Sequence, residues 1–196
     1  MTAQQRDALD IEQVVVEVAP DAEIWWGAAE RDFAASKGCT QATKVNRANS
    51  EVGGDASRPS KAPDCDYDAI IESAEAKAYL ESRATGALRQ SLVQTVESAF
   101  AGSSLAKLSV SIKTVHIVSS GQALIFGGHH FLHADFEVID LASGEKLARY
   151  EELIVTAGYG PGGLLSIAFE AASSDPYDRL SLAYAEAVRN WLREES

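Results

Sequence analysis

Between residues 108 and 157 apolar and polar positions alternate in a pattern that predicts three strands. In Phe131-Leu-His-Ala-Asp-Phe-Glu-Val-Ile-Asp140 and the histidine before it, the even positions His130, Leu132, Ala134, Phe136 and Val138 are mostly apolar while the odd ones are mixed. Period two of this kind marks a strand with one face against a core. The run Asp140-Leu-Ala-Ser-Gly-Glu-Lys146 then predicts a turn. Asp and Ser bond locally to the backbone there, and Gly144 takes a positive φ without a Cβ penalty. A strand over about 147–156 follows, and its Leu153, Ile154 and Val155 are too apolar for a fully solvated ribbon. Upstream, Leu108, Val110 and Ile112 alternate with Ser109, Ser111 and Lys113 before the apolar phase shifts at Val115 and Ile117. That slip predicts a bulge.

Elsewhere the β-branched cluster Val14, Val15, Val16 and Val18 predicts a fourth strand over 11–18, stopped by Pro20-Asp21, after a polar, frayed start. The adjacent Trp25 and Trp26 have two readings, a ligand platform or a plug at the edge of the core. A short helix is expected over 28–36. Residues 37–66 are rich in Gly, Ser, Asn, Asp, Thr and Pro, so they bury too little to offset their ordering entropy and read as a polar surface excursion. Asp66 or Asp68 can cap the helix that follows. Its apolar positions are Ile70, Ile71, Ala74, Leu80, Ala84, Leu88, Leu92, Val96 and Phe100, with Gly102 as its stop and a break at 82–86 left open. Near the end, Asp175 as N-cap, Pro176 at the first helical position and Asp178 in the first turn announce a helix. It docks through Leu180, Tyr184, Ala187, Val188, Trp191 and Leu192. The order predicts one α+β domain over 1–196. It has two layers, an antiparallel meander of about four strands with the long helix and the C-terminal helix packed on one face.

Length and composition change this picture little, but charge does. The chain has 196 residues, 46% of them hydrophobic, enough for a single core. Seventeen basic against 29 acidic residues give a formal charge of −12, which repels nucleic acid and anionic bilayers. No run approaches the roughly 18 apolar residues of a transmembrane helix, and residues 1–10 lack the basic and apolar regions of a secretory leader. Cys39 and Cys65 bracket the polar excursion. Free thiols and a bridge both suit that spacing, and the expectation carried forward is a disulfide closing it.

Candidate chemistry is sparse. His129, His133 and Asp135 would share one face of a strand, but positions i and i+4 lie roughly 13 Å apart at the strand rise, so no metal is expected. The Gly158-Tyr-Gly-Pro-Gly-Gly163 turn lacks the Lys-Ser/Thr of a phosphate loop. With no Gly-x-Ser-x-Gly elbow and no cysteine near a histidine, no enzyme and no cofactor are expected. The apolar residues Leu164, Leu165, Ile167 and Phe169 read either as a buried connection finishing the core or as an exposed lip for a protein partner or lipid.

The stretch from Glu75-Ala-Lys-Ala-Tyr-Leu through Ile139-Asp-Leu-Ala-Ser-Gly-Glu, the glycine-rich turn and Ala183-Tyr-Ala-Glu-Ala-Val-Arg-Asn-Trp191 resembles uncharacterised bacterial lipoprotein-type envelope domains over the C-terminal two thirds. The resemblance implies a periplasmic or envelope location and an accessory or assembly role, binding an envelope protein. The other expectation is a domain that holds a small apolar molecule or lipid between sheet and helices near Trp25 and Trp26, and a cytoplasmic location is the alternative to the envelope.

Overall fold

In the computed structural model, which describes residues 1–39, 65–118, 129–158 and 175–194, a four-stranded sheet follows the predicted alternation. The strands are β1 (Leu9–Trp26), β2 (Ser104–Ile117), β3 (His129–Asp140) and β4 (Lys146–Gly158), side by side in that order. Strands β2, β3 and β4 form an antiparallel meander in which Val110 faces Phe136 and Leu132 faces Val155. From His130 to Ile139 the even residues of β3 are buried and the odd ones half-buried, as the period-two pattern requires. The phase slip in β2 is a register shift between Ile112 and Thr114.

The β3–β4 turn forms as its residues dictate. Asp140 Oδ1 accepts hydrogen bonds from the Ala142 and Ser143 amides at 3.0 and 2.7 Å, and Gly144 takes φ +74°. The Ser143 amide in particular favours the ionised form and pulls the Asp140 carboxyl below its usual range.

Four sequence expectations are corrected. The strand expected over 11–18 continues through Pro20 to Trp26, because β1 is an edge strand and a proline there costs the ladder no hydrogen bond on its open side. The polar start is ordered as α1 (Ala3–Asp7), closed by a Thr2–Gln5 capping box, and its Arg6 is buried. Ile154 is 56% exposed although its neighbours Leu153 and Val155 are half-buried, since β4 is the other edge and Ile154 points away from the core. The helix expected from residue 66 to 100 is three pieces: α3 (Tyr67–Ile71), α4 (Ala74–Thr95) and a 3-10 turn (Glu97–Ala99). Its break falls at Ser73, whose Oγ accepts the Ala76 amide at 3.1 Å and so starts α4 afresh, while 82–86 stays helical. Gly102 accordingly is no helix stop. Its amide donates to the Leu9 carbonyl at 3.0 Å, and a Cβ built there would fall inside the Ala8 carbonyl.

The described residues gather into two compact units, Met1–Trp25 with Glu81–Ser196, and Trp26–Leu80. In the first, α4 from Glu81 onward and α5 (Pro176–Glu194) cover the inner face of the sheet. Leu88, Leu92, Leu108, Ile112, Leu132, Phe136, Leu180 and Val188 are fully buried there. Helix α5 starts as its sequence predicts, with the Tyr177 amide donating to Asp175 Oδ1 at 3.0 Å. Tyr150 stacks on Phe136, and the Trp191 ring meets both edge-on at 5.2–5.5 Å, fixing α5 on β3 and β4. The Tyr177 and Tyr184 hydroxyls donate to the Ala84 and Ala134 carbonyls, both at 3.1 Å. Burial pushes both phenols well above their ordinary range.

The second unit holds α2 (Gly27–Ser36), α3 and the first turns of α4. Its described core is small: Trp26, Ala29, Phe33, Ala34, Cys39, Ala76 and Leu80. Asp66 caps α3 by accepting the Ala69 amide at 3.1 Å, and the Phe33 and Tyr79 rings meet at 5.4 Å. Cys39 and Cys65 form the expected disulfide, their Cα atoms 5.7 Å apart, so the two ends of the polar stretch between them are stapled together.

Candidate functional site on the outer face of the sheet

The inner face of the sheet is packed, so the chemistry open to solvent lies on the other. Register decides what meets there. Beyond Pro20, β1 alternates Asp21, Glu23 and Trp25 outward, all exposed, against Ala22 and Ile24, half-buried, and Trp26, buried. Trp25 is 55% exposed, and its ring meets the His116 ring of β2 edge-on at 5.4 Å. His116 in turn meets Phe131 of β3 at 5.1 Å. Phe131 lies opposite Thr156 of β4, one step from Ile154, which lies opposite His133. An aromatic row thus crosses three strands and ends beside an exposed isoleucine.

Next to this row is an acidic hollow of about 410 Å³, lined by Asp21, Glu23, Lys113, Thr114, His133, Asp135, Glu151 and Glu152. Two bulges build it, one at Lys113 in β2 and one in β4 opposite Asp135. Glu152 sits in the β4 bulge at φ +60°, a conformation that a non-glycine residue adopts at some cost. Asp135 offsets that cost by accepting the Glu152 amide at 2.8 Å, and it lies 3.7 Å from Lys113 Nζ. Glu151 pairs with Arg149, which also reaches Glu137. Among the described residues, Asp21, Glu23 and Glu152 carry no ion pair. Five carboxylates against one lysine therefore leave the hollow negative.

The predicted site residues are dispersed. Trp25 and Trp26 are strand neighbours and point to opposite faces, Trp26 being 1% exposed, so they do not share one platform. The histidines also part. His129 is exposed, His133 lines the hollow, and His130 is a core residue whose Nδ1 accepts the Val118 amide at 3.1 Å. Asp135 belongs to the bulge. Among the described residues no three His, Cys, Asp or Glu side chains are placed to hold a metal ion. Leu164, Leu165, Ile167 and Phe169, and all of the glycine-rich turn beyond Gly158, lie outside the described residues. Sequence reasoning missed Asp21, Glu23, His116, Phe131, Glu151 and Glu152. The signal for the first two was present in the alternation Asp21-x-Glu23-x-Trp25, hidden by taking Pro20 as a stop.

No family model matches the chain, and no curated protein does. Solved structures similar to it include a candidate lipoprotein of Caulobacter crescentus CB15, with 16% identity and a TM-score of 0.34 over 58% of this chain and 86% of that one. Another is an uncharacterised protein, with 15% identity and a TM-score of 0.34 over 60% of this chain and 67% of that one. The structural resemblance to a lipoprotein-type protein is weak. Among the described residues no helix is long and apolar enough to cross a membrane.

Proposed function

We propose that the chain is a non-enzymatic accessory domain of the bacterial cell envelope that binds a protein partner on the outer face of its sheet. The observation that carries this is Trp25, more than half exposed yet held in place by ring contact with His116, which Phe131 braces. Large, rigid aromatics on a solvent-facing surface are the side chains that anchor protein interfaces. The Cys39–Cys65 bridge supports an oxidising compartment, which the envelope provides. A binding role is supported by Asp135 of the hollow being engaged by a backbone amide and Lys113, so that it holds the bulge in shape. The other expectation, a small apolar molecule between sheet and helices, has less room: Leu88, Leu92, Ile112 and Leu132 fill that layer with no exposed surface.

A benzophenone photocrosslinker at position 25, in protein expressed in its source cell, tests the reading. It should trap a protein that the same probe at Leu182, an exposed apolar position on α5, does not. Lipid adducts alone, or identical adducts from both positions, would overturn it. A small molecule retained in a native mass spectrum would favour the apolar-ligand reading instead.

A further inference from the structure

We infer that the partner presents a cationic segment to this face, with arginine or lysine side chains entering the acidic hollow and one of them lying over the exposed face of Trp25. This rests on the outer face being the docking surface, and it adds what the partner must look like. On β1 the two features are successive outward positions of one strand: Asp21 and Glu23 line the hollow, and Trp25 starts the aromatic row. A segment crossing the face meets carboxylates and then an indole within four residues. Of the common side chains, arginine satisfies both, as a planar cation that pairs with carboxylates and stacks on aromatic faces.

Charge complementarity selects the class. Asp21, Glu23 and Glu152 have no ion-pair partner among the described residues, so an incoming cation displaces no internal salt bridge at these three positions. The single lysine of the hollow lies by Asp135 and leaves them uncompensated. A formal charge of −12 draws a basic partner from a distance and repels an acidic one. Phosphate-bearing partners are excluded by the same sign. A resident metal ion lacks a ligand set, since no three candidate ligands converge among the described residues. What remains is a site that is negative, shallow and bordered by aromatic surface, the complement of a basic segment carrying some apolar groups.

The test uses the full chain and a fluorescein-labelled dodecapeptide of alternating arginine and serine with one central leucine, beside a control with glutamate in place of arginine. Anisotropy should show the arginine peptide binding and the control not. Affinity should fall roughly tenfold between 50 and 300 mM salt, since exposed pairs are screened over about 10 Å or less. Asp21→Lys with Glu23→Lys should weaken binding by roughly tenfold, and the milder Asp21→Asn with Glu23→Gln by about threefold. Glu12→Lys with Glu17→Lys, exposed on the same strand and changing net charge equally, should weaken it by no more than about twofold, the share of the long-range attraction alone. Equal loss from both lysine pairs, or binding of the glutamate peptide, would overturn the inference. A position-25 cross-link that survives charge reversal at Asp21 and Glu23 would keep the protein-partner reading and remove the cationic one.

Discussion

Strand β3 carries two surfaces that obey different rules. Its inward residues Leu132, Ala134, Phe136 and Val138 are at most 1% exposed, while Phe131, His133, Asp135, Glu137 and Ile139 on the other side are half-buried. The inner set is uniform in chemistry and fixed by packing. The outer set is mixed and graded along the strand, from aromatic at Phe131 through His133 to acidic at Asp135 and Glu137. A face that only had to be wetted would need no such grading, nor a tryptophan 55% exposed at its end. With the outer face as the proposed docking surface, stability and binding fall on different faces, and substitutions on them should have separable effects.

The largest effect is expected on the inner face. Phe136→Ala removes the ring that stacks on Tyr150 and meets Trp191, and it should cost about 3–5 kcal/mol in urea unfolding. A cost below about 1 kcal/mol would mean that α5 does not depend on this cluster. Replacing Cys39 and Cys65 with serine, on neither face, should cost about 3–4 kcal/mol for a loop of this sequence separation, 26. Reductant should then shift the melt of the parent chain but not of the variant.

Tyr184 joins the two faces at the bulge, because its hydroxyl reaches the Ala134 carbonyl where the β3–β4 register changes. Tyr184→Phe should cost about 1–2 kcal/mol. It should also change the alkaline limb. Buried Tyr177 and Tyr184 have folded-state values raised above the ordinary phenol value near 10. Their stabilisation is thus complete below about pH 10 and lost as pH rises beyond it, where only the unfolded chain ionises. Stability should fall steeply above pH 10 in the parent and less steeply in Tyr184→Phe. A smaller change of opposite sign is expected on the outer face. Glu152→Gly relieves the positive φ and should be neutral or stabilising by up to about 1 kcal/mol, and a clear loss would show that the bulge depends on the Glu152 side chain.

How much of this the sequence revealed follows the same division. The inner face was legible because burial imposes period two on β3 and a spacing of four on Ala84, Leu88 and Leu92 of α4. Local chemistry was legible too: the Asp140–Gly144 turn and the Asp175–Pro176 helix start depend on side chains within a few residues. The outer site was not, because His116, Phe131 and Trp25 are brought together only by the register of three strands, which no local pattern encodes. Pro20 misled for the same reason, since whether it ends a strand depends on β1 being an edge.

The separation of the faces is tested most directly by Trp25→Ala, assayed for urea unfolding and, by anisotropy, for binding of the arginine peptide. The account predicts a stability within about 1 kcal/mol of the parent and a loss of peptide affinity of roughly tenfold. A large loss of stability with peptide affinity retained would contradict it, and Trp25 would then be a packing residue of the sheet edge.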